Sequence, residues 1–317
     1  MIGEREIEGY HALTVASEVV GGLEAAFVPD AGMVGCSLRH RGEELLGQRG
    51  GLRTYVAERS TMGIPLLHPW ANRLDRRRFT VASREVDLDT ASPPPAADPN
   101  GLPMHGLLAA ARGWEVERHE PTEDGGVIGA RYDFAAHDEL MAGFPFAQEL
   151  LLEEALRGAT LTITTTVRAT AEATVPISFG YHPYFRLPGI ARSEWEIELP
   201  VSEHIVLDRR MIPTGEHEPA RPENGRLGRR TFDDSYLAPE DQAPFVLAGG
   251  GRRIEVTFGA GYPVVRVYAP DDDEVVAYEP MTAPTNALVV GGSELPLVAP
   301  GGSLEARFSI TVVDVPG

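Results

Sequence analysis

Apolar and polar residues alternate along much of this chain. Leu161, Ile163, Thr165 and Val167 fall on one face of a period-2 pattern, and Thr162, Thr164, Thr166 and Arg168 fall on the other. Because successive side chains of a strand point to opposite sides, this pattern predicts a half-buried β-strand. Residues 11–47 repeat the theme in shorter pieces, Leu13-Thr14-Val15, then residues 23–28, then Gly35-Cys36-Ser37-Leu38. The turn signals Pro29-Asp30-Ala31-Gly32 and Arg41-Gly42-Glu43-Glu44 separate them, which predicts consecutive hairpins. Further strands are expected at residues 195–201, 205–207, 254–258, 264–269, 275–278 and 306–313, where β-branched and aromatic residues concentrate. Helical spacing is scarce; residues 138–141 and 236–241 offer single turns. With no fixed-period repeat and no clear linker, the pattern predicts one all-β domain over residues 1–317, built as two packed sheets.

Composition narrows the chemistry. The chain carries 34 Gly and 26 Pro, consistent with many turns. All 28 basic residues are arginine, so a lysine Schiff base is excluded. A formal charge of −19 argues against nucleic acid and anionic membranes as partners. The single Cys36 rules out an intrachain disulfide and a cysteine zinc cluster, and reads as a small buried apolar residue. No signal peptide or long apolar span stands out, and the expected location is the cytoplasm.

Two stretches concentrate candidate chemistry. In Phe179-Gly180-Tyr181-His182-Pro183-Tyr184-Phe185, a side chain that titrates near neutrality sits among aromatic rings, and Pro183 biases it toward extended backbone. His182 is either a core histidine or a proton carrier, and Tyr181 offers a sugar an apolar face with a polar tip. In Val275-Val276-Ala277-Tyr278-Glu279-Pro280, an apolar strand ends on a carboxylate before a proline. Glu279 is either a surface residue at a strand end or a buried acid whose pKa is raised by burial.

Three other segments add polar groups. Residues 61–79 form a rigid piece in which Trp70, Asn72 and Arg73 crowd together, and Arg73 suits either vicinal hydroxyls or a structural salt bridge. The run Arg76-Arg77-Arg78 reads as a solvated face. A proline-rich loop, residues 90–104, delivers His105 and Gly106, and His105 there suits either a site role or a core position. Asp233 and Asp234 are flanked by aromatics and suit either a sugar or a turn.

In this order, Gly63-Ile64-Pro65 with Pro69-Trp70-Ala71-Asn72-Arg73, His105-Gly106, Gly180-Tyr181-His182-Pro183-Tyr184-Phe185, Phe232-Asp233-Asp234 and Glu279-Pro280-Met281-Thr282 resemble the aldose 1-epimerase (galactose mutarotase) family. The resemblance implies a large antiparallel β-sandwich of the galactose mutarotase type with a site in an open groove on one sheet. It implies Glu279 as general base, His182 as general acid, and Arg73, His105 and Asp233 as sugar-positioning groups; Asn72, Trp70 and Tyr181 join them as substrate-binding candidates. The implied reaction interconverts the anomers of an aldose and needs no cofactor. A metal site of the cupin kind is not expected, since no His-X-His occurs. The expected partner is a small sugar, neutral rather than phosphorylated, because Arg73 is the one arginine that the sequence places near the candidate acid and base. A hexose 6-phosphate epimerase and a non-catalytic sugar-binding sandwich are the alternatives.

Overall fold

The computed structural model describes residues 1–18 and 22–315; of the expected hairpin region 11–47, residues 19–21 lie outside the described residues. Strand makes up 50% of the structure and helix 9%, an all-β chain as the alternation predicts. Two large antiparallel sheets carry most of it. A nine-stranded sheet begins with the meander Glu115–Thr122, Gly125–Asp133, Gln148–Arg157 and Thr160–Ala169, and continues through the C-terminal strand Ser303–Asp314 to Arg252–Phe258. The eight-stranded sheet has Phe232–Leu237, Val264–Ala269 and Val276–Met281 at its middle, with Gly180–Tyr181 and Tyr184–Phe185 both paired to Val276–Met281.

Sequence and structure differ in three places. The strands Ile2–Ile7, Tyr10–Ser17, Leu23–Val28, Val34–His40 and Glu43–Glu44 form a separate five-stranded sheet instead of joining the sandwich, because their ladders run between successive hairpin neighbours; a single bridge joins Gly35 to Ile64. Its strand Tyr10–Ser17 packs on Gly125–Asp133 and Gln148–Arg157. A helix, Gly51–Glu58, follows that sheet and buries Leu52 and Tyr55 one turn apart; the sequence reading assigned nothing there. Residues 138–141 are helical, but Tyr236 belongs to the strand Phe232–Leu237, whose ladder with Val264–Ala269 overrides the local helical spacing.

Two tyrosines tie the large sheets together. The buried Tyr278 hydroxyl donates to the carbonyl of Val246 at 2.6 Å, across to the nine-stranded sheet. Tyr181, buried against Phe308, shares a hydrogen bond of 2.7 Å with the hydroxyl of Thr165, again on the opposite sheet. Since side chains alternate along a strand, the residues next to these tyrosines, His182 and Glu279, face the other way. Cys36 is buried as expected.

Tyr278→Phe is expected to cost about 1 kcal/mol, the net worth of one buried hydrogen bond. Denaturant unfolding should show a lower midpoint at unchanged slope; an unchanged midpoint would show that this hydroxyl does not hold the sheets together.

Candidate active site

The outward side of the eight-stranded sheet carries a cluster set by register. Arg266 lies opposite Glu279 on one neighbouring strand and opposite Ser235 on the other, while Asp233 lies opposite Tyr268. Arg266 is 1% exposed and must therefore be paired. Its Nε donates to Asp233 Oδ1 at 2.8 Å and its Nη1 to Ser235 Oγ at 3.1 Å. Asp233, offered by the sequence as sugar ligand or turn former, is thus the counter-ion of a buried arginine with its carboxylate still partly open to the cavity.

Loops complete the wall. His105 and Asn72 both adopt left-handed backbone, with φ of 62° and 58°, and the His105 amide donates to the Asn72 carbonyl at 2.9 Å. Such conformations cost about 1–3 kcal/mol each and persist where surrounding structure enforces them. Beside His105, Gly106 lies so close to His68 that a Cβ would meet its carbonyl oxygen at 2.1 Å, and the amides of Leu107 and Leu108 donate to that same oxygen. Arg73 Nε donates to Asp98 Oδ2 at 2.8 Å, and the backbone amides of Asn100 and Leu102 donate to the other oxygen of the same carboxylate. The proline-rich loop therefore supplies a clamp for Arg73 as well as delivering His105.

At the centre, His182 Nε2 and Glu279 Oε1 are 3.1 Å apart, and both side chains are nearly sealed from solvent. Burial pushes the Glu279 carboxyl up to about 8; Arg266 and Arg73 pull the other way, and Asp233 adds to the rise. Burial also holds the His182 imidazole well below its ordinary value, helped by His105, Arg49 and Arg266. His105 is pushed down to about 3, first by burial and then by the arginines, so it offers a neutral ring to a hydroxyl. Burial thus suppresses the charge on both members of the central pair, and one proton shared between them satisfies both.

These groups open onto a cavity of about 580 Å³ lined by Asn72, Arg73, His105, His182, Tyr184, Asp233, Arg266, Tyr268 and Glu279, together with Arg49, Arg59 and Thr61. Six of the eight residues singled out from sequence meet here. Trp70 and Tyr181 do not: both rings are buried in the core, Trp70 with no exposure at all and Tyr181 because it precedes His182 by one residue and points to the opposite side. Sequence reading passed over Arg266, whose signal is a lone charge inside Val264-Val265-Arg266-Val267-Tyr268. Arg49, on a turn, and Thr61, on an irregular segment, carry no comparable signal. The expectation of one nearby arginine is corrected to four, of which three are neutralised: Arg49 by Asp273, Arg73 by Asp98 and Arg266 by Asp233. Arg76 pairs with Asp75, Arg77 with Asp89 and Arg78 with Asp87, and none of the three lines the cavity. Among the described residues, no three His, Cys, Asp or Glu side chains gather as a metal site would require.

The family profile described as aldose 1-epimerase matches residues 29–311. No curated protein sequence matches the chain. Among solved structures, a galactose mutarotase-like protein from Clostridium acetobutylicum is similar at a TM-score of 0.85 and 19% identity, over 99% of both chains. An aldose epimerase homologue from C. elegans is similar at 0.75 and 17%, over the whole of both chains. A galactose 1-epimerase from Lactobacillus acidophilus is similar at 0.75 and 12%, over 100% of this chain and 99% of that one. At these identities the structural likeness is one of fold.

The raised Glu279 pKa has a consequence for stability. A carboxyl whose folded value lies near 8, above its unfolded value near 4.5, stabilises the fold fully below about pH 4.5 and loses that contribution as pH rises through 8. Unfolding free energies of the native protein and of Glu279→Gln should therefore diverge between pH 5 and 8, with the native protein falling relative to the variant. Glu154, also buried and raised to about 8, is present in both and cancels. Parallel curves would show that Glu279 ionises as freely in the fold as outside it.

Proposed function

We propose, since the chain belongs to the aldose 1-epimerase family, that it interconverts the α and β anomers of a free aldohexose by general acid–base ring opening. The observation that carries the reading is the buried His182–Glu279 pair, 3.1 Å apart, on the wall of a sugar-sized cavity. With the single proton of the pair moved from Glu279 to His182, the Glu279 carboxylate takes the proton of the C1 hydroxyl while His182 gives its proton to the ring oxygen. The C1–O5 bond breaks, the electron pair of the hydroxyl forms the aldehyde, and C1 turns about the C1–C2 bond. On closure, the neutral imidazole takes back the O5 proton and the carboxylic acid returns one to the C1 oxygen. One proton in the pair suffices for the whole cycle. Each such group contributes about 10²–10⁴-fold.

The facing of acid and base favours an enzyme over a passive sugar-binding module, which has no need of that contact. Arg73, Asp233 and neutral His105 stand where they can hold hydroxyls, and Asn72 joins them. The pairing of three of the four lining arginines supports a neutral sugar. One observation favours the 6-phosphate as second reading. Arg59 lines the cavity with no carboxylate partner among the described residues, its Nη1 donating to the Pro94 carbonyl at 2.9 Å.

NMR anomer-exchange rates for galactose, glucose and glucose 6-phosphate test both readings. A neutral hexose should turn over fastest. His182→Ala and Glu279→Gln should each lower its rate at least a hundredfold with the fold intact. Arg73→Lys keeps the charge beside Asp98 but loses the planar fork, and should raise KM. Near-full activity of Glu279→Gln would remove the base assignment. A kcat/KM at least tenfold higher for glucose 6-phosphate, lost in Arg59→Gln, would overturn the neutral-sugar reading.

A further inference from the structure

Histidines that move protons are commonly oriented by a hydrogen bond to the second ring nitrogen. Among the described residues His182 lacks one: its Nδ1 is buried with no hydrogen-bond partner there, and Nε2 faces Glu279. A ring held by one polar contact is free to tilt about it. That contact is also the one that a sugar must break, because the C1 hydroxyl and O5 have to come between the acid and the base. Something other than hydrogen bonding has to keep the imidazole in plane during the reaction.

The packing around His182 supplies it. Tyr184 lies flat against the imidazole, with centroids 4.1 Å apart and planes 15° from parallel. His105 and Tyr268 meet the same imidazole near-perpendicularly, at 5.7 Å and 5.6 Å. The Tyr184 ring is itself fixed at its far end. Its hydroxyl shares a hydrogen bond of 2.6 Å with Thr61 and accepts one of 2.9 Å from Arg49. Arg49 is anchored by Asp273 at 3.2 Å and lies over the tyrosine ring at 4.8 Å from its centroid. The backbone of Tyr184 is tied on both sides, its amide donating to the Gly63 carbonyl and its carbonyl accepting from the Gly47 amide, each at 2.9 Å.

We propose that Tyr184, clamped by Thr61 and Arg49, is the positioning residue that sets the plane of the His182 imidazole. A flat stack resists tilting yet permits sliding within the plane. Nε2 can therefore turn from Glu279 toward the ring oxygen of a sugar without losing its aim. The sequence carries the pair as His182-Pro183-Tyr184: the residue between them is a proline, which restricts His182 toward extended backbone and leaves two residues of the same parity on one side of the chain. The inference rests on the reading of His182 as the acid.

The test uses two measurements on Tyr184→Leu and Tyr184→Phe. One is anomer exchange; the other is the ¹⁵N spectrum of the His182 ring in sugar-free protein, which needs no activity. Leu should lower kcat at least tenfold while KM changes less than threefold, and should convert the His182 ring signals to those of a mobile tautomer mixture. Phe keeps the stacked face but loses both hydroxyl bonds of the clamp, and should fall between Leu and the native protein in kcat and in ring signals. If Leu fails to fold, Thr61→Val combined with Arg49→Met removes both partners of the hydroxyl without leaving a hole, and a kcat and ring signals between those of Leu and the native protein are expected. A native His182 spectrum in the loosened variant overturns the inference. So does a loss confined to KM. Should the native protein exchange no sugar, the proposed activity fails, and the ring spectra still decide whether Tyr184 positions His182.

Discussion

The whole arrangement depends on the two-residue alternation of strand side chains. Tyr181 and Tyr278 point into the sandwich and hydrogen-bond across it to Thr165 and Val246; their successors, His182 and Glu279, point out and meet each other. A slip of one residue in either strand would send an imidazole or a carboxylate into the core and a tyrosine into the cavity. The tyrosine hydroxyls therefore guard the register on which the proton-transfer pair depends. The same parity places Arg266, Asp233 and Tyr268 on the outward side, and puts Phe185 against Tyr278 in the core while Tyr184 faces His182.

Electrostatics follow from burial. An imidazole and a carboxyl almost without exposure resist becoming charged separately, and a shared proton lets them remain neutral together. The arginines nearby would distort that balance if left bare. Three have carboxylate partners, so the cavity presents directional donors with little net positive charge. This local balance matters more to a bound sugar than the overall charge of −19, which salt screens beyond roughly 8–10 Å.

Much of this was legible in the sequence, for physical reasons that differ by residue. The strand Thr160–Ala169 announces itself by strict alternation, and the structure buries Leu161, Ile163, Thr165 and Val167. His182 and Glu279 stood out because each ionisable group precedes a proline in an otherwise apolar strand-like stretch. Asp98 did not, because a carboxylate in a proline-rich loop looks solvated until the loop folds back on Arg73. Trp70, a substrate-binding candidate in the sequence, has its indole in the core; composition cannot tell which side of an irregular segment faces in. Arg49 comes to His182 only through the tertiary fold, across 135 residues from Tyr184. Tyr236 was offered a helical turn by local spacing and took a strand, because two neighbouring strands supply its ladder.

The central claim is that His182 and Glu279 work as a pair holding one proton. The pH dependence of kcat/KM for anomer exchange tests it most directly. With one proton the pair is active. With two it lacks a base, and with none it lacks an acid. The account predicts a bell whose alkaline limb falls near pH 8, following the raised Glu279 carboxyl, and whose acid limb lies well below pH 6.5, following the depressed imidazole. A profile flat from pH 5 to pH 10 would contradict it.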